Sequence, residues 1–371
     1  MKKTVGFIGW RGMVGSVLLN RILKKKDFLN FNFIFFSTSQ FSFKNPEFNR
    51  FNSNKILKDA NNLDELFELD IILTCQGSDY TNKIYYKLRN SGWSGYWIDA
   101  SSDLRMKIDS VIVLDPINKK NIIQSIDRGI KTFIGGNCTV SLMMLALGGL
   151  FRNDLIEWIS FSTYQAASGG GSGYILELLK QIKFLNKYLS KDDNLSKSIL
   201  DIEKKITKIT QKNSFPIKNS LVPLILNLIP WIDLDMSSGQ SKEEWKMEAE
   251  TNKILSLKDN KKILIDGTCV RIGSLRCHSQ SFLIKLKKNI DISNIEDIIS
   301  SDNKWVKIIK NNKNDSIKKL TPLSVTGTLN IPIGRIRKLS LGNNYISAFS
   351  IGDQLLWGAA EPLRRMLKFL I

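Results

Sequence analysis

The sequence is poor in the residues that build disulfide frameworks and metal sites. Among 371 residues there is one histidine, His278, and there are four cysteines, Cys75, Cys138, Cys269 and Cys277. Four thiols this far apart fit neither a small disulfide-stapled scaffold nor a set of paired zinc ligands. We therefore predict a reducing environment and no metal site.

Long hydrophobic runs are lacking as well. The longest strongly apolar stretch, residues 140–151, is too short to cross a bilayer as a helix. Near the start of the chain, Gly9, Arg11 and Gly12 interrupt the apolar run before the core of a secretory signal could form. These absences predict a cytoplasmic protein with no membrane partner.

Negative charge is scarce relative to positive charge. The chain has 35 Asp and Glu against 54 Lys and Arg, a formal net charge of +19. The lysines are scattered among asparagines and isoleucines, as in 310–319, and no arginine-rich or aromatic-interleaved motif accompanies them. We therefore predict no nucleic-acid partner, and keep a non-catalytic RNA-binding protein as the alternative. The length and the 43% hydrophobic content indicate two or three domains with real cores.

The first part of the chain alternates short apolar strands with helical segments. Such alternation favours right-handed crossovers and a doubly wound parallel sheet of the α/β class, with functional loops at the carboxyl ends of the strands. A helical segment covers 82–90. The predicted strands are 4–8, 33–36, 70–74, 95–99 and 111–114.

The second part has a different pattern. It predicts an α+β domain with a mixed sheet, and the domains are expected at 1–137 plus 352–371 and at 138–351. A helical region at 180–211 carries an apolar stripe that suits packing within the domain or against a second subunit. The other predicted elements are a buried helix at 140–150, strands at 158–164, 270–273 and 281–286, and a C-terminal helix at 354–370 with a kink at Pro362.

A glycine turn follows the first strand. Gly9, Gly12 and Gly15 precede a helical pattern, which keeps the ingredients of a dinucleotide-binding, Rossmann-type turn, although a structural turn is the alternative. NAD-specific folds usually place an acidic residue after the second strand, but residues 37–39 here are Ser, Thr and Ser. Together with Arg11, these hydroxyls favour NADP over NAD.

Cys138 is the candidate nucleophile. It follows Gly135, Gly136 and Asn137 and directly precedes the buried helix. A thiol at a helix N-terminus is expected to have a lowered pKa, and the backbone amides there could hold an oxyanion. The alternative is an inert buried cysteine, but the glycine pair is hard to explain by packing, which favours the nucleophile.

Four further features have both a functional and a structural interpretation. His278 could transfer protons with a pKa near neutrality, or could be structural. Arg271 lies seven residues earlier, so an extended segment would need a bend for the two side chains to converge. Glu243 and Lys246 share a helix face and could be a surface ion pair. The glycines at 169–171 could approach a cofactor or form a flexible turn.

Taken together, these motifs resemble the aspartate-semialdehyde dehydrogenase family of bacteria, in its enteric, NADP-dependent form, over nearly the whole chain. The resemblance is weakest at 180–220 and 290–319. The motifs that carry it are GFIGWRGMVGS from residue 6, FFSTSQ from 35, TCQGSDYTN from 74, GGNCTVSLM from 135, TYQAASGGG from 163, EEWKMEAETNKIL from 243, RIGSLRCHSQ from 271 and GDQLLWGAAEPLRRML from 352.

The resemblance assigns a role to each candidate residue. It implies Cys138 as nucleophile and His278 as acid/base. Substrate binding is implied for Gln165, Glu243 and Arg271, and phosphate binding for Arg105 and Lys246. NADP binding is implied for Arg11, Gly12, Met13, Val14, Thr38, Ser39, Gln76, Ser168, Gly169, Gly170, Gly171, Ser172 and Gln354.

The implied reaction is the reversible, NADPH-dependent reductive dephosphorylation of L-4-aspartyl phosphate to L-aspartate 4-semialdehyde, through a cysteine thioester. It belongs to the biosynthesis of lysine, threonine, methionine and diaminopimelate, and the implied assembly is a homodimer. The enzymatic alternative is a reductase of the same architecture acting on another acyl phosphate, such as glutamyl phosphate.

Overall fold

The computed structural model describes residues 2–39, 56–189 and 198–371. Within these residues, the strands form two seven-stranded sheets. Part of the predicted helical region at 180–211 and the last residue of the FFSTSQ motif lie outside the described residues. None of the described helices combines the length and the hydrophobicity needed to span a membrane.

The first sheet is entirely parallel, which confirms the predicted α/β class. Its strand order is β3-β2-β1-β4-β5-β7-β6, and four-residue strands such as Ile71–Thr74 are buried throughout, as expected for strands covered on both faces. The strands are β1 (Thr4–Ile8), β2 (Asn32–Ser37), β3 (Lys58–Asp59), β4 (Ile71–Thr74), β5 (Tyr96–Asp99), β6 (Ser110–Val113) and β7 (Thr132–Gly135). Strands β3 and β7 were not predicted, because β3 is two charged residues and the apolar run of β7 is only two residues long.

Helices cover both faces of the first sheet. Leu18 and Ile122 pack on one face, while Leu66 and Ile84 pack on the other. The helices of this part are α1 (Met13–Lys25), α2 (Leu63–Phe67), α3 (Ser78–Asn90) and α4 (Asp115–Asp127). The glycine turn therefore leads from the end of β1 into α1, as predicted.

The second sheet is mixed and has the order β12-β13-β14-β11-β8-β10-β9. Strand β8 is parallel to β10 and antiparallel to β11. The strands are β8 (Ile156–Gln165), β9 (Leu228–Ile229), β10 (Leu264–Ile272), β11 (His278–Leu286), β12 (Val306–Ile308), β13 (Ile331–Leu339) and β14 (Gly342–Gly352). This is the mixed sheet that the sequence predicts.

The predicted helix at 140–150 is two helices in the structure. The first begins at Cys138, and the second follows a break at Leu147. The remaining helices are α5 (Cys138–Ala146), α6 (Gly148–Arg152), α7 (Ser172–Leu189), α8 (Ile199–Thr210), α9 (Lys242–Ile254), α10 (Ile292–Asp302), α11 (Lys313–Lys319), α12 (Pro322–Val325) and α13 (Glu361–Leu367).

The C-terminal helix differs from its prediction. A π-helical turn, Leu356–Ala360, comes first and continues into α13. Pro362 lies just after the point where the helix changes from π to α hydrogen bonding, and its missing N–H cannot donate to the preceding turn. The irregularity that the sequence predicts as a kink is therefore this change of helix type. The helix packs Leu363 and Leu367 into the core of the first sheet.

The apolar stripe in the lysine-rich region is only partly buried. In α8, Ile209 is buried and Ile206 packs beside it, but Ile199 remains 74% exposed.

The two faces of the second sheet have different environments. Ile159 and Phe161 of β8 point into a core that α5 and α9 cover. On the opposite, outer face, Trp158 and Tyr164 alternate with them and are not fully buried. Catalytic side chains on the inner face would therefore lie close to the N-terminus of α5.

Candidate active site

The loop between β7 and α5 places Cys138 at the start of a helix. Asn137 caps this helix, because its Oδ1 accepts hydrogen bonds from the backbone N–H groups of Thr139 and Val140 at 2.9 and 3.2 Å. Cys138 lines a cavity of about 740 Å³ to which loops of both sheets contribute. The structure thus places the candidate nucleophile at the start of a helix, as the sequence predicts, and the helix itself begins at Cys138.

The predicted pKa of the nucleophile was wrong. Burial, reinforced by the carboxylate of Glu243, raises the pKa of Cys138 to about 12. Arg271, Arg105 and Lys246 act in the opposite direction but do not outweigh the loss of hydration. In the substrate-free protein the thiol is therefore protonated at neutral pH.

Three side chains of the second sheet lie side by side. Gln165 ends β8 and is in register with Arg271 of β10 on one side and with His278 of β11 on the other. Residues in register point to the same face of a sheet, so all three point to the inner face. The predicted bend between Arg271 and His278 is the turn that joins their strands.

Arg271 is held against the loop after β8. Its Nη1 donates a hydrogen bond to the carbonyl oxygen of Ala166 at 2.9 Å, and its guanidinium lies 5.8 Å from the ring centroid of Tyr174. A Cβ atom on Gly169 would lie 2.5 Å from Arg271 Nη1. This loop therefore needs glycine to accommodate the arginine, which can bind a carboxylate with its remaining N–H groups.

His278 is fully buried and neutral. Burial and the nearby Arg271 lower the pKa of His278 to about 3, so the expected value near neutrality was wrong. Nδ1 accepts a hydrogen bond from the backbone N–H of Ala166 at 3.1 Å, which places the ring proton on Nε2. Nε2 has no hydrogen-bond partner among the described residues and lies beside Gly169, which lines the cavity.

Glu243 and Lys246 form a buried ion pair, so the surface interpretation of their spacing is wrong. Glu243 Oε2 accepts a hydrogen bond from Lys246 Nζ at 3.1 Å, and Asp233 contacts the same ammonium group at 2.5 Å. Glu243 also accepts hydrogen bonds from the amides of Asn137 and Gln165. Burial alone would raise the pKa of Glu243, but Lys246 and the Asn137 amide outweigh burial and hold this pKa below its ordinary value. Glu243 and Lys246 are therefore both ionised.

Arg105 adds a third cation at the cavity wall, beside Arg271 and Lys246. Its Nε donates to the carbonyl oxygen of Gly135 at 2.7 Å, and its Nη1 donates to Glu250 at 3.0 Å. Arg105 and Lys246 both line the cavity that contains Cys138. Two fixed cations beside a thiol suit an anionic leaving group such as phosphate.

The first sheet supplies a dinucleotide-binding edge. Gly9 has φ +73°, and a Cβ there would lie 2.6 Å from the backbone of Cys75, so the turn requires glycine. Gly12 is the N-cap of α1 and contributes no side-chain hydrogen bond to its first turn, as suits a helix end that binds phosphate. These features fit a bound nicotinamide dinucleotide.

The polar residues after β2 and β4 lie at the same edge. Arg11 Nη2 donates a hydrogen bond to Ser37 Oγ at 2.7 Å, and Gln76 Nε2 donates to Thr38 Oγ1 at 3.3 Å. The backbone N–H of Ser39 donates to Ser37 Oγ. The structure therefore groups a cation with hydroxyl groups where an NAD-specific fold usually has a carboxylate.

The glycine-rich loop after β8 lines the cavity and is held in place by Gln354. Residues 167–170 form a 3₁₀ turn before α7, and Ser168 is hydrogen-bonded to the side chain of Gln354. Gln354 also accepts a hydrogen bond from the backbone N–H of Cys277 at 2.8 Å. It therefore fixes this loop to the turn that precedes His278.

The structure brings most of the predicted site residues to one cavity. The predicted residues that line the cavity are Val14, Arg105, Cys138, Gln165, Ser168, Gly169, Gly170, Glu243, Lys246, Arg271 and Gln354. The predicted residues outside this lining are His278, which lies behind Gly169, Gly171 and Ser172 at the start of α7, and a group at the edge of the first sheet: Arg11, Gly12, Met13, Thr38, Ser39 and Gln76.

Several groups at the site were not predicted from the sequence. Asn137 could have been identified, since asparagine before a helix is a common N-cap. Glu250 lies seven residues after Glu243, which places it on the same helix face. Asp233 lies in a loop without a local motif, and nothing in the sequence indicates that it meets Lys246.

Comparisons with known proteins agree with this geometry. Residues 4–125 match the family model of the semialdehyde dehydrogenase NAD-binding domain, and residues 147–357 match that of the semialdehyde dehydrogenase dimerisation domain. The chain is 49% identical to aspartate semialdehyde dehydrogenase from Francisella tularensis, with a TM-score of 0.94 and 100% of both chains covered.

More distant structures share the fold. Aspartate semialdehyde dehydrogenase II from Vibrio cholerae, complexed with ASA, is 21% identical with a TM-score of 0.79. The enzyme from Candida albicans, with NADP, is 14% identical with a TM-score of 0.65. Each alignment covers 100% of this chain and 98% of the other. On the two domain matches and the full-length identity, this chain belongs to the aspartate semialdehyde dehydrogenase family of NAD(P)-binding oxidoreductases.

Proposed function

We propose that this enzyme carries out the reversible, NADPH-dependent reductive dephosphorylation of L-4-aspartyl phosphate to L-aspartate 4-semialdehyde through a thioester on Cys138. The observation that carries the proposal is one cavity in which a partly buried thiol lies among Arg271, Arg105 and Lys246. The product would supply the biosynthesis of lysine, threonine, methionine and diaminopimelate.

The charges of the cavity complement those of the proposed substrate. Arg271 binds the α-carboxylate, and Glu243 faces the α-amino group. Arg105 and Lys246 bind the phosphoryl group, which leaves as phosphate. Gln165, hydrogen-bonded to Glu243 at 3.2 Å, orients the substrate between them.

Cys138 forms and breaks the covalent bonds to the substrate. Its sulfur attacks the acyl carbon, and the bond to the phosphoryl oxygen breaks to give the thioester. Since the thiol is protonated before attack, its proton passes to the departing phosphate as the sulfur attacks, while the three cations stabilise the negative charge that develops on the sulfur. When bound, NADPH supplies a hydride to the thioester carbonyl, and the carbon–sulfur bond then breaks to release the aldehyde.

His278 donates a hydrogen bond to the oxygen of the reacting carbonyl. Its Nε2–H lies beside Gly169 at the cavity wall, and its Nδ1 is held by the backbone N–H of Ala166. A neutral imidazole fixed in this way keeps its proton and donates a hydrogen bond to the oxygen that develops negative charge. That oxygen re-forms the carbonyl as the carbon–sulfur bond breaks, and the electron pair of the broken bond stays on the sulfur, which takes up a proton from water.

For the cofactor we propose NADP rather than NAD. The first turn of α1 would hold the pyrophosphate, together with the glycine-rich loop at 168–172. Arg11, with the hydroxyl groups of Thr38 and Ser39, would bind the 2′-phosphate. Support comes from the Arg11 to Ser37 hydrogen bond and from the lack of a carboxylate at 37–39.

For the assembly we propose a homodimer that pairs the outer faces of the two second sheets. This face carries two partly exposed aromatic pairs, Trp158 with Tyr345 and Tyr164 with Phe349. We also propose that residues 1–137 with 352–371 form the NADP-binding domain and that 138–351 form the catalytic and dimerisation domain. The packing of α13 on the first sheet supports that division.

A Cys138→Ala variant tests the function. The wild-type chain is expected to oxidise L-aspartate 4-semialdehyde with NADP and phosphate, and faster than the homologue with one more methylene. The variant should bind NADP, more tightly than NAD, but lose turnover by at least about a thousandfold, because no thioester can form. Near-native activity of the variant would show that Cys138 is not the nucleophile. A preference of the wild-type chain for the longer aldehyde would show that L-aspartate 4-semialdehyde is not the substrate.

A further inference from the structure

Helix α9 carries three ionisable side chains toward the cavity. Glu243, Lys246 and Glu250 are spaced at i, i+3 and i+7, so they share one face of the helix. Glu243 and Lys246 line the cavity, whereas Glu250 lies behind it and is only 1% exposed. A buried carboxylate is stable only if its oxygens are paired, so its partners indicate what it does.

Both oxygens of Glu250 are bound to residues of the active site. Oε1 accepts a hydrogen bond from Arg105 Nη1 at 3.0 Å. Oε2 accepts one from the backbone N–H of Asn137 at 2.7 Å. One side chain thus joins a cation of the cavity wall to the residue directly before Cys138.

Within the part of the chain that the structure describes, the contacts of Arg105 leave two donors for a ligand. Its guanidinium has five N–H groups. Three are used by Gly135 O, Glu250 Oε1 and Ala100 O, at 2.7, 3.0 and 3.4 Å. The remaining two, one on each Nη, suit two oxygens of a phosphate, provided that the guanidinium keeps its orientation.

The contacts of Asn137 fix the start of α5. Its side chain caps the helix and donates to both oxygens of Glu243 at 3.0 Å, while Glu250 binds its backbone. Helix α9 therefore holds this residue from two sides. A shift of Glu250 would move the cap and with it the position of the Cys138 sulfur relative to Arg105.

We propose that Glu250 is a positioning residue that fixes Arg105 and the backbone of Asn137 at once, so that the phosphate site and the nucleophile keep one relative geometry. The proposal deepens the proposed function and rests on it for the identity of the leaving group. Glu250 itself touches neither substrate nor cofactor.

Glu250→Gln is the sharpest test, because the amide has nearly the same shape but only one acceptor oxygen. Its NH₂ group must then face either the Arg105 or the Asn137 donor, and the Arg105 charge loses its buried partner. The matched control is Glu244→Gln. Glu244 is a buried carboxylate on the same helix whose partners are the backbone N–H groups of Ser241 and Cys269.

Two measurements separate positioning from a general loss of stability. The first is the KM for inorganic phosphate and kcat in aldehyde oxidation. The second is the phosphate concentration that half-protects Cys138 from iodoacetamide, followed by mass spectrometry of its peptide. We expect Glu250→Gln to raise both phosphate values at least tenfold and to lower kcat, while the KM for NADP stays within twofold. Glu244→Gln should leave all of them within twofold.

The outcomes decide the proposal even without turnover. The proposal would be overturned if Glu250→Gln and Glu244→Gln had the same KM for phosphate and the same half-protecting phosphate concentration. It would also be overturned if phosphate did not protect Cys138 of the wild-type chain from iodoacetamide. If the wild type lacked turnover but showed protection, the proposed function would fail, and the protection ratio would still decide the role of Glu250. Should Glu250→Gln not fold, the shorter Glu250→Asp can reach only one partner, and an unchanged protection value in it would overturn the proposal.

Discussion

At the residue scale, the sequence singled out candidate reactive groups but not their protonation. Cys138 and His278 stand out because each lies in a distinctive motif, and the structure places Cys138 in the cavity and His278 behind Gly169 at its wall. Their expected pKa values were wrong, because burial raises that of Cys138 to about 12 and lowers that of His278 to about 3. The loss of hydration comes from residues distant in sequence, so no local pattern reports it.

A single histidine allows a direct test of this environment. With ¹⁵N-labelled histidine, NMR should show a neutral His278 ring protonated on Nε2 from pH 8 to pH 5. The urea-unfolded chain, as the control, should titrate near pH 6.5. Because the unfolded chain binds this proton at a higher pH than the folded chain, the histidine contribution to the free energy of unfolding is full above pH 6.5. It should decrease by about 2 kcal/mol between pH 7 and pH 5. A folded-state titration near pH 6.5 would contradict burial of the ring.

At the element scale, local motifs predicted most strands and helices but not their pairing. The strand that ends at Asp99 and the helix that begins at Cys138 follow from apolar runs and their flanking residues. The convergence of Arg271 and His278 does not, because it depends on both being in register with Gln165 of a strand far away in sequence. Register is set by the whole sheet, so the sequence could only state that a bend was needed.

The cap of α5 should contribute more to stability than an ordinary cap. Asn137→Ala removes hydrogen bonds to two backbone N–H groups and leaves Glu243 without two amide contacts in a buried site. We expect the free energy of unfolding to fall by about 2 kcal/mol or more in urea denaturation. Asn62→Ala, the control, removes a single cap bond to Glu65 on the surface and should lower it by about 0.5 kcal/mol. Equal losses would show that the buried contacts of Asn137 add nothing.

At the scale of the whole molecule, the fold brings the two sheets together at one cavity. The carboxyl ends of the first sheet supply the edge with the glycine turn and the proposed nucleophile, while the second sheet supplies Gln165, Arg271 and His278. The sequence predicted both sheets and their classes. It could not predict that Asp233, from an irregular loop, reaches Lys246, since long-range ion pairs leave no local pattern.

The outer face of the second sheet is the surface that we propose for the dimer interface. Leu264 on β10 is 64% exposed and in register with Trp158 on that face. Contiguous exposed apolar surface of this kind is typical of an interface. In a two-fold dimer each substitution enters the interface twice, so a single charge there has a large effect.

Leu264→Glu should therefore weaken the proposed dimer. A tenfold change in a dissociation constant corresponds to about 1.4 kcal/mol, and burying an unpaired carboxylate in each copy is unfavourable by several times that amount. We therefore expect the dissociation constant of the dimer, measured by sedimentation equilibrium, to rise at least tenfold. Ile108→Glu is the matched control, because Ile108 is fully exposed within the NAD-binding domain match, and it should leave the dimer unchanged. A dimer equally stable in both variants would assign the interface to another surface, and a monomeric wild-type chain would disprove the homodimer.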